Sequence, residues 1–312
     1  MDNRIEKLEG IVYQGVDEFQ QHLQRELGEY EYLGGNLYFA EGPQRQAFWT
    51  ENIWLNPIKI TFDSISEAAL SLRNIQRNWA PVLFTQYRRG MLIQEKLPPI
   101  VQKPRPFPWE VPDAPMGAWT LLDAHTMIAS PLCTSPFPAG KIEFVENKAD
   151  PPSRAYLKLQ EALVRAHRWP QAGERCLDAG ACPGGWTWVL TQLGAHVTAI
   201  DRAPLDDRLM KNPLVTYIKH DAFTLKPEEI GPVDWLLSDV ICYPPRLYEW
   251  VQKWLASGLA KNYICTIKMQ GSGDFETPRL FASIPDSHVI HLHYNKHELT
   301  WIKVAHDAGY AS

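Results

Sequence analysis

The second half of this sequence predicts a doubly wound α/β domain, and the first half a smaller α+β domain ahead of it. Mostly apolar segments at 175–177, 196–201, 215–221, 233–240 and 262–269 alternate with helical patterns, as buried parallel strands do. The first leads into a turn, Leu177-Asp178-Ala179-Gly180-Ala181-Cys182-Pro183-Gly184-Gly185-Trp186, with a helix from Thr187 to Leu193 behind it. Two last segments, 288–295 and 299–304, are joined too tightly for a crossover helix and predict an antiparallel hairpin on the sheet.

In chain order, Gly10–Tyr13 reads as a strand, 17–27 as a helix with Phe19, Leu23 and Leu27 on one stripe, and 36–40 and 58–62 as strands. Ser64 caps a second helix running to about Asn78, with Glu67 at the capping-box position, and 81–85 is the next strand. This β-α-β-β-α-β order predicts one ferredoxin-like module. Residues 97–115 are a connector in which Pro98, Pro99, Pro104, Pro106, Pro108, Pro112 and Pro115 exclude helix and central strand, anchored by Ile100, Val101, Phe107 and Trp109. Lys103 and Arg105 beside these aromatics are candidate contacts to single-stranded nucleic acid, though an anchored linker is the plainer reading. Short strands at 119–123, 126–129 and 141–145 close a first domain, 1–148, ahead of a second, 149–312.

From Pro151 the pattern changes. Ser153 is placed to cap a helix whose apolar face is Ala155, Leu159, Ala162, Leu163 and Ala166, with Arg154, Lys158 and Arg165 on other faces. The glycines of the turn allow φ > 0 and close approach to a ligand, and the helix behind it offers unpaired N–H groups. No Gly-Lys-Ser/Thr follows, so it is not a P-loop. Asp201 ends the next apolar run, where an acid can accept from ribose hydroxyls, and Asp221 ends the third, each trailed by a further edge residue, Arg202 and Ala222. Asp178 at the turn's entrance repels an anion and attracts an amino or sulfonium group. A cationic, ribose-bearing cofactor fits, and S-adenosylmethionine (SAM) is the natural candidate, with 178, 180–186, 201, 202, 221, 222 and 239 as its expected contacts.

Asp239 and Lys268 end adjacent predicted strands at the sheet edge where ligands bind, Glu298 opens the last strand, and Lys158 lies on the helix before the first. Each alone reads as an ordinary surface charge; together they favour a cleft site. Ser153-Arg154-Ala155-Tyr156-Leu157-Lys158-Leu159, the Asp-x-Gly-x-x-Pro-Gly-Gly-Trp turn, Ser238-Asp239, Ile267-Lys268-Met269-Gln270-Gly271-Ser272-Gly273 and Glu298 resemble the FtsJ/RrmJ family of RNA ribose 2′-O-methyltransferases, and within it the RlmM branch. The resemblance implies a Rossmann-like class I SAM-dependent methyltransferase fold over 151–304. It also implies a Lys158-Asp239-Lys268-Glu298 tetrad, an rRNA substrate and an amino-terminal RNA-recognition domain, here too short for a full THUMP module. Arg154 and Arg165 join Lys103 and Arg105 as expected RNA contacts. Deprotonation of a ribose hydroxyl needs a base, and Lys268 is expected to fill that role with its pKa lowered by burial and by Lys158. The rival expectations are a methyltransferase for protein or small molecules, and a non-catalytic RNA-binding protein.

Composition narrows the class without choosing the partner. A net charge of −5 argues against a general polyanion binder, but not against a local basic groove. No apolar run spans a membrane, the start lacks a signal-peptide pattern, and the five cysteines form no CxxC, so a reduced, cytoplasmic protein without structural zinc is expected. His291, His293 and His297 lack accompanying ligands at metal spacing, and read as a solvated hairpin. Tyr243-Pro244-Pro245-Arg246 reads as the opening of a helix, and Trp186 equally as a cofactor lid or a core residue.

Overall fold

A computed structural model describes residues 4–100, 102–270 and 273–305; Val101 and the Gly271-Ser272 pair named above lie outside the described residues. The chain divides into two compact units, Met1–Arg105 with Val111–Glu143, and Pro106–Glu110 with Phe144–Ser312. The division falls a little before the expected position near 148, and five connector residues go with the second unit.

The first unit holds two sheets. Strands β2 (Gly10–Gly15), β3 (Glu31–Gly34), β4 (Leu37–Glu41) and β5 (Thr50–Trp54) pair antiparallel in the order β3-β4-β2-β5. Helix α1 (Gln20–Leu27) links β2 to β3, buries Leu23 and Leu27, and ends at Gly28 with φ 70°. This is a ferredoxin-like strand order without its second helix, because residues 42–49 run as coil. The second sheet runs β1 (Ile5–Lys7), β6 (Ile58–Thr61), β9 (Thr126–Ser130), β8 (Gly117–Leu121), β7 (Trp79–Pro81). Helix α2 (Ile65–Ile75) follows β6, and α3 (Tyr87–Gln94) follows β7. Ser64 Oγ accepts from Glu67 N at 3.2 Å, while the Glu67 carboxylate reaches Asp63 N at 2.9 Å, one residue ahead of the expected capping box.

The six segments expected to form one module are thus shared between two sheets, the first three in one and the last three in the other. The expected 81–85 strand ends at Pro81 because Phe84 turns onto Gly34 and Gly35, where any Cβ would meet its ring at 2.2–2.7 Å. Residues 141–145 form no strand; Phe144 N donates instead to the Tyr294 hydroxyl at 3.1 Å.

In the second unit β10 (Arg175–Ala179), β11 (His196–Asp201), β12 (Val215–Lys219), β13 (Val233–Ser238), β14 (Ala260–Lys268), β15 (Ser287–Ile290) and β16 (Glu298–Lys303) form one sheet, ordered β12-β11-β10-β13-β14-β16-β15. Strands β10 to β14 pair in parallel, and β16 lies antiparallel between β14 and β15, as the hairpin reading required. This is the class I SAM-dependent methyltransferase fold. Strand order reverses between β11-β10 and β10-β13, and ligands of such sheets bind outside the strand ends at that switch. Buried Trp235, Trp254 and Trp301 fill the core around it. Helix α4 (Tyr156–Arg165) departs from the expected single apolar face: it is buried nearly all round, Lys158, Gln160 and Glu161 included.

Candidate active site

Sheet register brings the tetrad together. Lys268 ends β14 directly opposite Glu298, which opens β16, and Asp239 follows the last residue of the neighbouring strand β13. From α4, Lys158 Nζ donates to both Asp239 oxygens at 2.8 and 2.7 Å and to Glu298 Oε1 at 3.0 Å. Lys268 Nζ donates to Asp239 Oδ1 at 2.6 Å and Glu298 Oε2 at 2.5 Å. Two ammonium and two carboxylate groups close a neutral, largely buried ring. Each charge is desolvated, and removal of one partner leaves another unpaired.

The electrostatics correct one expectation. Burial pulls the Lys268 pKa down, but Asp239 and Glu298 more than offset it, so the net direction is up, not down. Burial likewise raises the Glu298 carboxyl, and Lys158 and Lys268 reverse that to a net lowering. Lys268 therefore rests as an ammonium.

The glycine turn carries out the close approaches its residues predicted. Gly180 has φ 77°, and a Cβ there would fall 2.6 Å from Val240 Cβ; at Gly184, φ 111°, one would fall 2.3 Å from Leu209 Cδ1. Gly184 precedes helix α5 (Gly185–Gln192) as its N-cap, and Ser153, expected to cap α4, instead packs its Oγ where a Cβ on Gly185 would sit, 2.5 Å away. Asp201 braces the turn: its carboxylate accepts from Cys182 N at 3.0 Å and Ala203 N at 2.9 Å. Beside the turn is a cleft of about 160 Å³ lined by Gly180, Asp201, Arg202, Asp221, Ala222, Val240, Cys242 and Arg246 among others. Its floor admits no Cβ at Gly180, and two carboxylates face it, so a ribose-bearing cationic cofactor fits the residues present. Ala181, Cys182 and Pro183 form the turn outside that lining, and Trp186 is a buried core residue whose Nε1 donates to Ala155 O at 3.0 Å.

Asp178, expected at the turn's entrance to attract a cation, is 1% exposed and accepts from Thr187 Oγ1 at 2.6 Å. Burial pushes its pKa up to about 7. Asp221 lies two residues past β12, where it caps a short 3-10 turn and pairs with both Arg202 and Arg246. The cleft's Val240, Cys242 and Arg246 went unread in the sequence, although Val240 and Cys242 follow Asp239 at a strand's carboxyl end, the signal that would have found them. Arg246 does open helix α8 (Pro244–Ser257) with the prolines in its first turn, and it also stacks over Phe223 at 5.0 Å.

The four expected RNA contacts differ in their surroundings. Arg154 is exposed and pairs with Glu146. The Arg165 side chain is only 13% exposed and donates to Glu161, so its charge serves the interior. Lys103 is exposed and Arg105 half-buried. Glu161, fully buried, also accepts from His293 N at 2.9 Å and Tyr294 N at 3.0 Å, fixing the turn that leads into β16. Glu161→Gln is expected to cost about 1–3 kcal/mol in a denaturant titration, because a buried charged acceptor loses strength at every donor. His291 is buried rather than solvated, with Nε2 at 3.0 Å from Lys296 O, and burial lowers its pKa to about 4. Among the described residues no group of His, Cys, Asp and Glu is placed to hold a metal, and no helix is long and apolar enough to cross a membrane.

Residues 151–268 match the FtsJ-like methyltransferase family. The chain is 38% identical over 141 residues to the ribosomal RNA large subunit methyltransferase M of Azoarcus sp. (strain BH72), covering 43% of this chain and 38% of that protein. It is 30% identical over 223 residues to the protein so named in Xanthomonas euvesicatoria pv. vesicatoria (strain 85-10), covering 69% and 60%. With that of Cellvibrio japonicus (strain Ueda107) it shares 41% over 124 residues, covering 38% and 35%. The chain thus spans between about a third and three fifths of the length of these curated relatives.

Proposed function

We propose that this protein transfers a methyl group from SAM to a ribose 2′-hydroxyl of RNA, with large-subunit ribosomal RNA as the substrate. The closed ring of Lys158, Asp239, Lys268 and Glu298 beside the glycine turn carries the reading. Amine methylation needs no such hydroxyl-activating set, and the domain family and the names of the relatives agree with an RNA ribose acceptor. We infer substrate recognition for the first unit, and the cytoplasm, where ribosomal RNA is met, as the site of action.

SAM, when bound, supplies an electrophilic methyl on a sulfonium centre. Gly180 gives it close backbone approach, Asp201 and Asp221 offer acceptors for its hydroxyl and amino groups, and Val240 packs over the turn. Asp239 and Glu298 hold the two lysines in one place. Lys268, in its neutral form, would take the hydroxyl proton at Nζ from the ribose oxygen that accepts the methyl. Lys158 donates to both carboxylates and holds them together.

Because Asp239 and Glu298 raise its pKa, Lys268 must lose a proton before it acts. The log of kcat/KM is therefore expected to climb about one unit per pH unit from 7 to 9.5 without a plateau. A flat profile would assign Lys268 to holding charge rather than taking the proton.

The deciding experiment maps ribose methylation across RNA from cells lacking and restored for this protein. A single rRNA ribose that gains and loses its methyl with the gene supports the reading. Label entering protein or small molecules, and not RNA, overturns it.

A further inference from the structure

Among the described residues, Ile241 at 81% and Tyr243 at 70% are the two most exposed large hydrophobic side chains. Both follow Asp239 in the same strand-end loop. Val240 packs over Gly180 and Cys242 is buried against the cleft, while Ile241, which also lines the cleft, and Tyr243 are exposed. Val240 and Cys242 tie the loop to the cofactor cleft.

Tyr243 is also held rigidly. It is extended at φ −67°, ψ 136°, with Pro244 and Pro245 behind it in the first turn of α8. Its carbonyl accepts from Arg246 N at 3.0 Å and Leu247 N at 3.3 Å. Four residues of extended chain reach at most roughly 14 Å, so the Tyr243 backbone lies within that distance of Asp239. A backbone held in place lowers the entropy lost when the ring stacks.

Resting on the RNA reading above, we propose that Tyr243, flanked by Ile241, is a stacking platform for a base of the strand whose ribose enters the tetrad. Stacking tolerates any base, and it holds the strand while the lysines and carboxylates handle the sugar.

The test uses the full chain, saturating SAM and large-subunit rRNA extracted from cells lacking the protein. Tyr243→Ala is expected to raise KM for RNA roughly tenfold with kcat nearly unchanged, and Tyr243→Phe to restore it. SAM affinity measured by calorimetry should not move in either variant. An unchanged KM in Tyr243→Ala, or a Phe variant as weak as the Ala one, overturns the platform. A fall in kcat alone does so too. Those outcomes leave the function standing provided that the wild type methylates the RNA and Lys268→Met does not. A wild type that methylates no RNA at all overturns the function itself, and the platform with it.

Discussion

Lys268→Met is expected to lower methyl transfer to RNA by about 10²- to 10⁴-fold while leaving SAM binding nearly intact. The side chain lies at the end of β14, donates to Asp239 and Glu298, and is not among the residues lining the cofactor cleft. Its loss therefore removes the proton acceptor without removing a wall of the pocket. Lys268→Arg separates the two roles available to a cation there: a guanidinium keeps the charge but does not deprotonate, so the Arg variant should be as inactive as Met. Retained turnover in Arg would sink the base assignment. Lys158→Met should also slow the reaction, by a different route. With Lys158 gone, both carboxylates turn on Lys268 alone and raise its pKa further, so the active form becomes scarcer and the pH profile shifts to higher pH. Circular dichroism must accompany these assays, since each substitution leaves two buried carboxylates with one partner fewer.

The second unit was legible because its strands are apolar runs whose ends carry chemistry. Asp201 and Lys268 terminate their strands, Asp239 follows its strand at once, and parallel pairing alone brings such ends to one edge. What patterning does not contain is charge balance. Lys158 was read as a neighbour that lowers the Lys268 pKa, yet Lys268 lies between two carboxylates, and opposite charges dominate. Asp178 was placed at the turn's entrance from its position alone, which does not show that it is buried there with Thr187 of α5 donating to it. In the first unit, alternation announced strands but not their partners, so β2 and β6 were assigned to one sheet. β5 escaped notice because its Glu51 and Asn52 break the apolar pattern. Those polar groups are satisfied inside: Glu51 accepts from Gln14 Nε2 at 2.8 Å, and Asn52 Oδ1 from Ser135 N at 2.9 Å. α3 was hidden by Gly90, a poor helix former that is required where a Cβ would meet Leu83 at 2.5 Å.

Asp178→Asn is expected to abolish the pH dependence that this one carboxyl imposes on folding. Burial raises its folded pKa from 3.8 to about 7. Below 3.8 both states are protonated and the group contributes no difference. As pH rises from 3.8 through 7 the unfolded chain ionises first, so stability is lost, and the loss reaches about 4 kcal/mol above pH 7 at 1.36 kcal/mol per pKa unit. The amide cannot ionise. The stability of Asp178→Asn relative to wild type should therefore rise by about 3–4 kcal/mol between pH 4 and 8, whatever constant offset the amide adds. Urea titrations at both pH values check this, and equal differences at the two would show that Asp178 titrates normally. A carboxylate that costs the fold this much at neutral pH needs a counterpart in function, and a bound sulfonium is the cation that fits. SAM should then bind Asp178→Asn about tenfold more weakly above pH 7, the scale of losing one opposite charge at an effective dielectric near 20. The uncharged thioether product S-adenosylhomocysteine should lose less. Equal losses for both ligands would mean that Asp178 shapes the turn and does not attract the charge.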